Sequence, residues 1–389
     1  MSKSPNKKAA PYAGFEQGPI RPPSEARSLL VRVTRNCPWN RCTFCPVYKD
    51  TRFSVRPVEH VKKDIDAVHK FVQALRDVAD GDGRILRADL EPLAQGIAPG
   101  DAPPLNAALN WYAGDMTSVF LQDANSLVIK PPDLVGILKH LQACFPWVQR
   151  VTSYARSHTL ARIADDDLRA MREAGLSRIH TGLESGSDQV LANVIKGATK
   201  ELHIEAGLKV KKAGMELSEY YMPGLGGRAL ARENALETAD ALNQINPDFI
   251  RLRTLAIPEN APLAEDYEAG RFEKCTDVEV AREVLTFIES LEGITSVVKS
   301  DHILNLFGDL QGTLPHDKER MAAILNAFLD MPPERQRLYQ VGRRIGVLNC
   351  LDDMEHPQRL AAAERACREL GITPDNVDEA IDQLMKRFI

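Results

Sequence analysis

Short apolar runs and longer amphipathic stretches alternate along most of this chain. Runs rich in β-branched and aromatic residues fall at 29–34, 118–121, 150–154, 178–181, 217–222 and 249–255, and each reads as a strand. Between them, apolar positions recur at helical spacing over 58–78, 161–174, 200–212 and 232–245. Strands that alternate with helices predict βαβ units, and so a parallel sheet with right-handed crossovers. Six such units without a dinucleotide fingerprint fit an α/β fold of the partial (β/α)6 TIM-barrel type. In such barrels the functional loops follow the C-terminal ends of the strands.

The alternation breaks in three places. Residues 1–27 are rich in Pro, Lys and Ser and read as an N-terminal extension. Residues 80–116 interrupt the first crossover with Gly, Pro and Asp, and read as an inserted loop or lid with one weak helix. After about residue 300, helical spacing takes over at 318–329, 333–341, 357–370 and 377–388. The expected organisation is therefore a barrel at 28–300 and a C-terminal helical subdomain at 301–389. A seventh strand at 295–299 would bring the SDHILN segment at 300–305 to the same rim.

Composition then narrows the class. With 44% hydrophobic residues, 26% charged residues and a net charge of −5, the chain reads as an ordinary globular enzyme without the basic face that nucleic acid requires. No apolar run nears the roughly 20 residues of a membrane span, so no membrane partner is expected. The basic N-terminus lacks the apolar stretch of a secretory signal. Of seven cysteines, three lie within nine residues of one another, while Cys144, Cys275, Cys350 and Cys367 are scattered without paired spacing. A tight cluster in a reducing compartment points to metal or catalysis, and a cytoplasmic location follows. No auxiliary cluster is expected.

The string LLVRVTRNCPWNRCTFCPVYK places Cys37, Cys42 and Cys45 at C-x4-C-x2-C spacing, directly after the first strand. Three readings of this loop compete. A structural zinc site needs a fourth protein ligand, and none is local. A plant-type ferredoxin uses this spacing with a fourth cysteine, but the next is Cys144, in another crossover. In the third reading, three thiolates hold three irons of a 4Fe–4S cluster and leave the fourth iron open.

Other strand ends carry further candidates. VFLQDANSL follows the second strand, VTSYAR the third, RIHTGLESGSDQVLANVIKG the fourth, YYMPGLGGR the fifth, and FIRLRTLAIPENAPL forms the sixth. Each also has a plain structural reading. DAN can simply turn the chain, Ser185 or Ser187 can cap a helix that Glu184 favours through its dipole, and the glycines can make a tight turn. Arg251 and Arg253 alternate with apolar residues and so share one face, where burial would demand an anion.

These motifs together resemble the radical SAM superfamily over roughly residues 20–300, and within it a bacterial group of Fe–S oxidoreductases related to oxygen-independent coproporphyrinogen III oxidase. The resemblance implies the third reading of the cysteine loop, with S-adenosylmethionine (SAM) chelating the open iron. Most members space the cysteines C-x3-C-x2-C, so this loop is one residue wider, with Trp39 or Asn40 accommodated. By the same resemblance Phe44 packs near the adenine. Gln122, Asp123 and Asn125 stand where a Gly-Gly-Glu segment receives the methionine amino group, and Ser153 stands at a SAM-contacting position. Glu184 binds the ribose hydroxyls, Lys196 (about three turns along the next helix) meets the methionine carboxylate, and the backbone around Gly224 and Leu252 reads the adenine.

The implied reaction is reductive cleavage of SAM, with an electron from a flavodoxin- or ferredoxin-type donor, to a 5′-deoxyadenosyl radical that takes hydrogen from a small-molecule substrate. The substrate is not legible. Tyr154, Arg156, His158, Tyr220, Tyr221, Arg251 and His302 are candidates to line its pocket, and Cys275 is a candidate hydrogen donor that also reads as a plain loop cysteine. The alternatives are a cluster-bearing electron-transfer or sensor protein, or a haem binder, without SAM cleavage. GLESGSD with Lys196 argues against the first, and the absence of a haem-ligand motif against the second.

Overall fold

LLVR alternates buried and half-buried positions, as a strand with one face on a core should, and it forms the first strand of the sheet. The computed structural model describes residues 11–95 and 97–386. Its strands are β1 (Leu29–Arg32), β2 (Thr34–Arg35), β3 (Ser54–Val55), β4 (Ser118–Gln122), β5 (Arg150–Ala155), β6 (Leu176–Glu184), β7 (Glu216–Tyr221), β8 (Phe249–Leu252), β9 (Val297–Lys299) and β10 (Gly312–Thr313). The main sheet runs in the order β1-β4-β5-β6-β7-β8-β9-β10. All its pairings are parallel except that of β10 with β9, and β2 and β3 pair separately as an antiparallel ribbon.

Strand order follows chain order without reversal, so the sheet has no switch point of the doubly wound kind. It curls instead. Side chains from neighbouring strands meet on its inner face: Phe120 and Tyr154 rings lie 5.1 Å apart, Tyr154 and His180 5.9 Å, and His180 and Tyr220 6.2 Å. Among the described residues β1 and β10 do not pair, which leaves the barrel partial.

The helices are α1 (Val58–Val78), α2 (Arg87–Ala94), α3 (Ala102–Tyr112), α4 (Pro131–Cys144), α5 (Ser157–Leu160), α6 (Asp165–Glu173), α7 (Asp188–Asn193), α8 (Lys200–Lys212), α9 (Gly227–Ile245), α10 (Leu263–Glu268), α11 (Asp277–Ser290), α12 (Lys318–Leu329), α13 (Pro333–Arg344), α14 (Pro357–Glu369) and α15 (Val377–Met385). In α1 the buried residues Val61, Ile65, Val68, Val72 and Leu75 recur at intervals of three and four, the stripe of a helix laid on a sheet. The last four helices join the barrel through buried ion pairs and ring contacts. Arg344 donates to Asp277 at 2.8 Å and to the Leu304 carbonyl at 2.7 Å.

Three expectations change. The 80–116 stretch carries two α-helices, and α3 buries Leu105, Ala108 and Trp111 in the main core, where the Trp111 indole donates to the Ser118 carbonyl at 2.9 Å. It belongs to the outer helical layer and is no lid. Its helical signal was masked by Pro103 and Pro104, which sit in the first turn, where proline is tolerated. The strand expected at 249–255 ends at Leu252, and the one expected at 178–181 extends to Glu184 through a register shift against β7. Of the N-terminal extension, residues 1–10 lie outside the described residues. The remainder straps the barrel: Tyr12 donates to Asp64 at 2.7 Å, and Glu16 accepts from Arg35 at 2.7 Å. Residues 387–389, at the end of the last expected helix, also lie outside the described residues.

Candidate functional site

The cysteine loop leaves β2 and is held open by two asparagines in the left-handed region, Asn36 at φ 69° and Asn40 at φ 46°. Asn tolerates that conformation better than most residues. The Cys37 sulfur accepts from the Asn40 amide at 3.4 Å. All three thiols are free and half-buried. Burial pushes the Cys42 and Cys45 thiols up, while the Lys196 charge pulls both back, joined by Arg156 at Cys42.

The loop is pinned to the segment that follows β6. The Trp39 indole donates to the Ile195 carbonyl at 2.8 Å, and the Thr43 amide to the Val194 carbonyl at 3.0 Å. The Arg156 guanidinium stands 5.0 Å from the Trp39 ring centroid and donates to the Lys196 carbonyl at 2.9 Å. This pinning turns Lys196 toward the thiols. Its ammonium donates to Glu184 Oε1 at 3.2 Å and lies 5.7 Å from the Phe44 ring centroid. Lys196 lies beyond the end of α7, not along the helix. Glu184, at φ 65°, leaves Oε2 buried without a hydrogen-bond partner among the described residues. Gly182 makes room for the pair, since a Cβ there would sit 3.0 Å from the Lys196 ammonium and against the Glu184 carboxylate. Phe44 packs on a small apolar cluster of Val190, Val194, Met222, Leu225, Leu255 and Leu263, drawn from the loops after β6, β7 and β8.

The candidates at the end of β4 and just beyond it are held by this chain's own residues. Gln122 clamps the N-terminal strap: its Oε1 accepts from the Gly18 amide at 2.8 Å, and its Nε2 donates to the Ile20 carbonyl at 2.7 Å. Asp123 accepts from Arg32 Nε at 3.0 Å, Arg32 Nη2 at 2.7 Å, the Asn36 amide at 3.1 Å and the Tyr48 hydroxyl. Both side chains are fully engaged by this chain. Asn125 donates to Thr159 at 2.8 Å and accepts from the Arg156 amide at 3.3 Å, which orients the arginine. Ser153 donates to the Leu121 carbonyl at 3.3 Å, inside the sheet. The Gly224 amide donates to Glu283 at 2.9 Å, and the Leu252 carbonyl accepts from Asn305 at 2.8 Å.

The lumen below the rim is polar and aromatic. Tyr154, His180 and Tyr220 face one another, and burial pushes His180 down and both tyrosines up. Arg251 points inward too, but its anion is internal, Asp301, with Ser218 as a second acceptor at 3.2 Å. Arg253 lies beyond the strand end and is exposed, so the two arginines do not share a face. Tyr221 faces outward and donates to Glu283 at 2.7 Å, away from the lumen. His158 sits half-buried on α5. Burial and the nearby Arg253 push His302 down to about 4, so it stays neutral near pH 7. Cys275 is buried and pushed up to about 12, which makes it a poor thiolate. It lines, with Gly224 and Leu255, a cavity of about 130 Å³ between the rim and α15.

Sequence reasoning missed Arg32, Tyr48 and Glu219. Glu219 is buried on β7 with neither oxygen partnered among the described residues, and burial holds its carboxyl well above the usual range. A carboxylate in the apolar run of a buried parallel strand was the available signal.

The profile of the radical SAM superfamily matches residues 31–239, more than half of the chain. The chain belongs to that superfamily, whose members are enzymes that use a 4Fe–4S cluster and SAM. It is similar to the tRNA uridine(34) acetyltransferase of Methanocaldococcus infernus, 23% identical over 129 residues, which cover 33% of this chain and 24% of that protein. Among solved structures it is similar to coproporphyrinogen III oxidase from Escherichia coli (TM-score 0.44, 14% identity, 68% of this chain and 52% of that one). It is also similar to methylornithine synthase (TM-score 0.42, 12% identity, 71% and 66%). The chain thus spans about a quarter of the curated relative's length. No helix among the described residues is long and apolar enough to cross a membrane.

Proposed function

We propose that this chain binds a 4Fe–4S cluster through Cys37, Cys42 and Cys45 and uses it to cleave SAM reductively, for hydrogen abstraction from a small molecule bound in the barrel lumen. The observation that carries this reading is the Glu184–Lys196 pair: beside three half-buried thiols, one carboxylate oxygen is buried with its partner position empty. A buried acceptor of that kind costs about 1–3 kcal/mol unless a ligand supplies the donor. A ribose diol supplies it. The donor set fits the group, since thiolates beside two cations suit an iron–sulfur cluster. When bound, the cluster supplies the one electron that splits SAM into methionine and the 5′-deoxyadenosyl radical.

The chain's own residues do the rest. Lys196 and Arg156 place positive charge by the thiols, where it stabilises the thiolate ligands and, in the case of Lys196, can meet the carboxylate of the methionine moiety. Phe44 and the apolar cluster around Leu255 offer a dry wall to the adenine, and the backbone near Gly224 and Leu252 borders it. Gln122 and Asp123 act as braces of the loop, and the methionine amino group meets backbone or Asn125 instead. Ser153 fixes the strand end beside Asn125. Tyr154, Tyr220 and Arg251 shape the substrate's lumen, which favours a polar organic molecule. The electron comes from a flavodoxin- or ferredoxin-type protein, in keeping with a cytoplasmic location.

Anaerobic reconstitution with iron and sulfide, followed by dithionite and SAM, tests the proposal through an assay for 5′-deoxyadenosine. Its formation is expected even without substrate, at a slow rate. An intact cluster that neither binds SAM nor yields 5′-deoxyadenosine would overturn it and leave an electron-transfer or sensor role.

A further inference from the structure

Away from the rim, α1 and α4 pack side by side on the outer layer and bring together three metal-ligating side chains of different chemistry. His140 and Cys144 are one turn apart on α4 and so project from one face. Asp66 meets them from α1. His140 Nε2 lies 2.7 Å from Asp66 Oδ1, and the Cys144 sulfur lies 3.8 Å from each of those two atoms. A tetrahedral ion with bonds of about 2.0–2.1 Å to N and O and about 2.3 Å to S holds such donors about 3.3–3.6 Å apart. To hold an ion, the His–Asp pair would open by about 0.6 Å and the sulfur close by about 0.2–0.3 Å, shifts within reach of side-chain motion.

Two features distinguish the triad from a surface His–Asp hydrogen bond. A lone pair of that kind explains the 2.7 Å contact but not a thiol equidistant from both partners. The thiol is also held in place. Phe145, the next residue, is buried and packs edge-on against Trp111 at 4.9 Å and His69 at 5.5 Å, which fixes the end of α4.

We propose that Asp66, His140 and Cys144 form a second metal site, for a divalent transition ion of the zinc class, that clamps α1 to α4. Mixed N, O and S donors select zinc or cobalt over magnesium or calcium, which take oxygen ligands. Three protein ligands leave one position for water, and the exposure of Asp66 admits it. Cys144 ends α4, just before the N-terminal end of β5, so this site lies at the opposite end of the barrel from the cysteine loop. It is separate from the cluster site and does not depend on the SAM reading.

The test is anaerobic titration with cobalt(II) of the full chain carrying Cys37→Ala, Cys42→Ala and Cys45→Ala, which removes the three cluster thiols. One equivalent should give a thiolate-to-cobalt charge-transfer band and the intense visible bands of four-coordinate cobalt. Adding Cys144→Ser should abolish the charge-transfer band, and adding His140→Ala should weaken binding at least about tenfold. A parallel measurement on the reconstituted holoenzyme covers failure of the triple variant to fold. There, one zinc per chain should survive gel filtration and be lost in Cys144→Ser with the iron content unchanged. Absence of the charge-transfer band, undiminished cobalt binding in the His140→Ala/Cys144→Ser variant, or equal zinc content in holoenzyme and Cys144→Ser would overturn the proposal.

Discussion

Asp123, under the cysteine loop, accepts four hydrogen bonds from Arg32, Asn36 and Tyr48, while Glu184, two strands away on the same rim, holds one partner and leaves an oxygen buried with none. Both carboxylates were expected to touch SAM. Their surroundings separate them. Asp123 has used its acceptor capacity on this chain, so it serves to fix the loop's shape. Glu184 carries an open acceptor beside a cation and three thiols, and such a group is tolerated where a ligand completes it. The contrast between a saturated and an unsaturated charge tells scaffold from site better than the motif strings do.

The largest effects break the site outright. Cys42→Ala should abolish the cluster chromophore and all 5′-deoxyadenosine formation, read as iron and sulfide content and product after reduction. A full iron complement in that variant would put the third ligand elsewhere. Asp123→Ala should act on the scaffold instead. It strips Arg32, itself largely buried, of its anion and frees Asn36 and Tyr48. Removing one partner of a buried ion pair costs about 3–5 kcal/mol. The denaturation midpoint should fall accordingly, and iron should be lost as the loop loosens. A stable variant with ordinary iron content would return Asp123 to the site.

How far this contrast was legible in the sequence depends on the range of each interaction. The helices at 58–78, 200–212 and 318–329 were readable to the residue, because apolar spacing is a local signal. The cysteine spacing was local too. The scaffold contacts of Gln122 and Asp123 were not legible because their partners, Gly18, Arg32 and Tyr48, come from up to 104 residues away and carry no motif. Arg251 looked as if it needed a foreign anion because Asp301 lies 50 residues downstream. Pairing across a barrel is set by the fold, and a linear string does not display it.

Glu283 is an intermediate case that sharpens the comparison. It is saturated, with Tyr221, Asn234 and the Gly224 amide all donating to it, yet no cation pairs with it among the described residues. Burial outweighs those three donors and pushes its carboxyl up to about 7. A folded-state value above the unfolded one means a contribution to stability that is full below about pH 4.5 and is lost as pH rises through 7. The span is about 3 kcal/mol. Unfolding measured from pH 4.5 to 8 should show this decline in the wild type, and Glu283→Gln should flatten it. A slope unchanged in the variant would assign the decline to another group.

Glu184→Ala gives the smallest effect on the fold and the most discriminating one on the site. Removing the side chain deletes one contact to Lys196 and an oxygen with no partner among the described residues, and Lys196 keeps the thiols beside it, so the stability loss should be smaller than at Asp123, which holds four donors. The iron content should not move, because the thiols keep Lys196 and Arg156 beside them. SAM affinity should fall about ten- to a hundredfold, as expected for loss of a charged hydrogen bond of about 1.5–3 kcal/mol to a ribose hydroxyl. The measurement is SAM binding to the oxidised, cluster-loaded protein, with Glu184→Gln as the control that keeps an acceptor but not the charge. If the alanine variant binds SAM unchanged and loses stability instead, Glu184 is scaffold like Asp123, and its empty acceptor marks a water site and not a ligand.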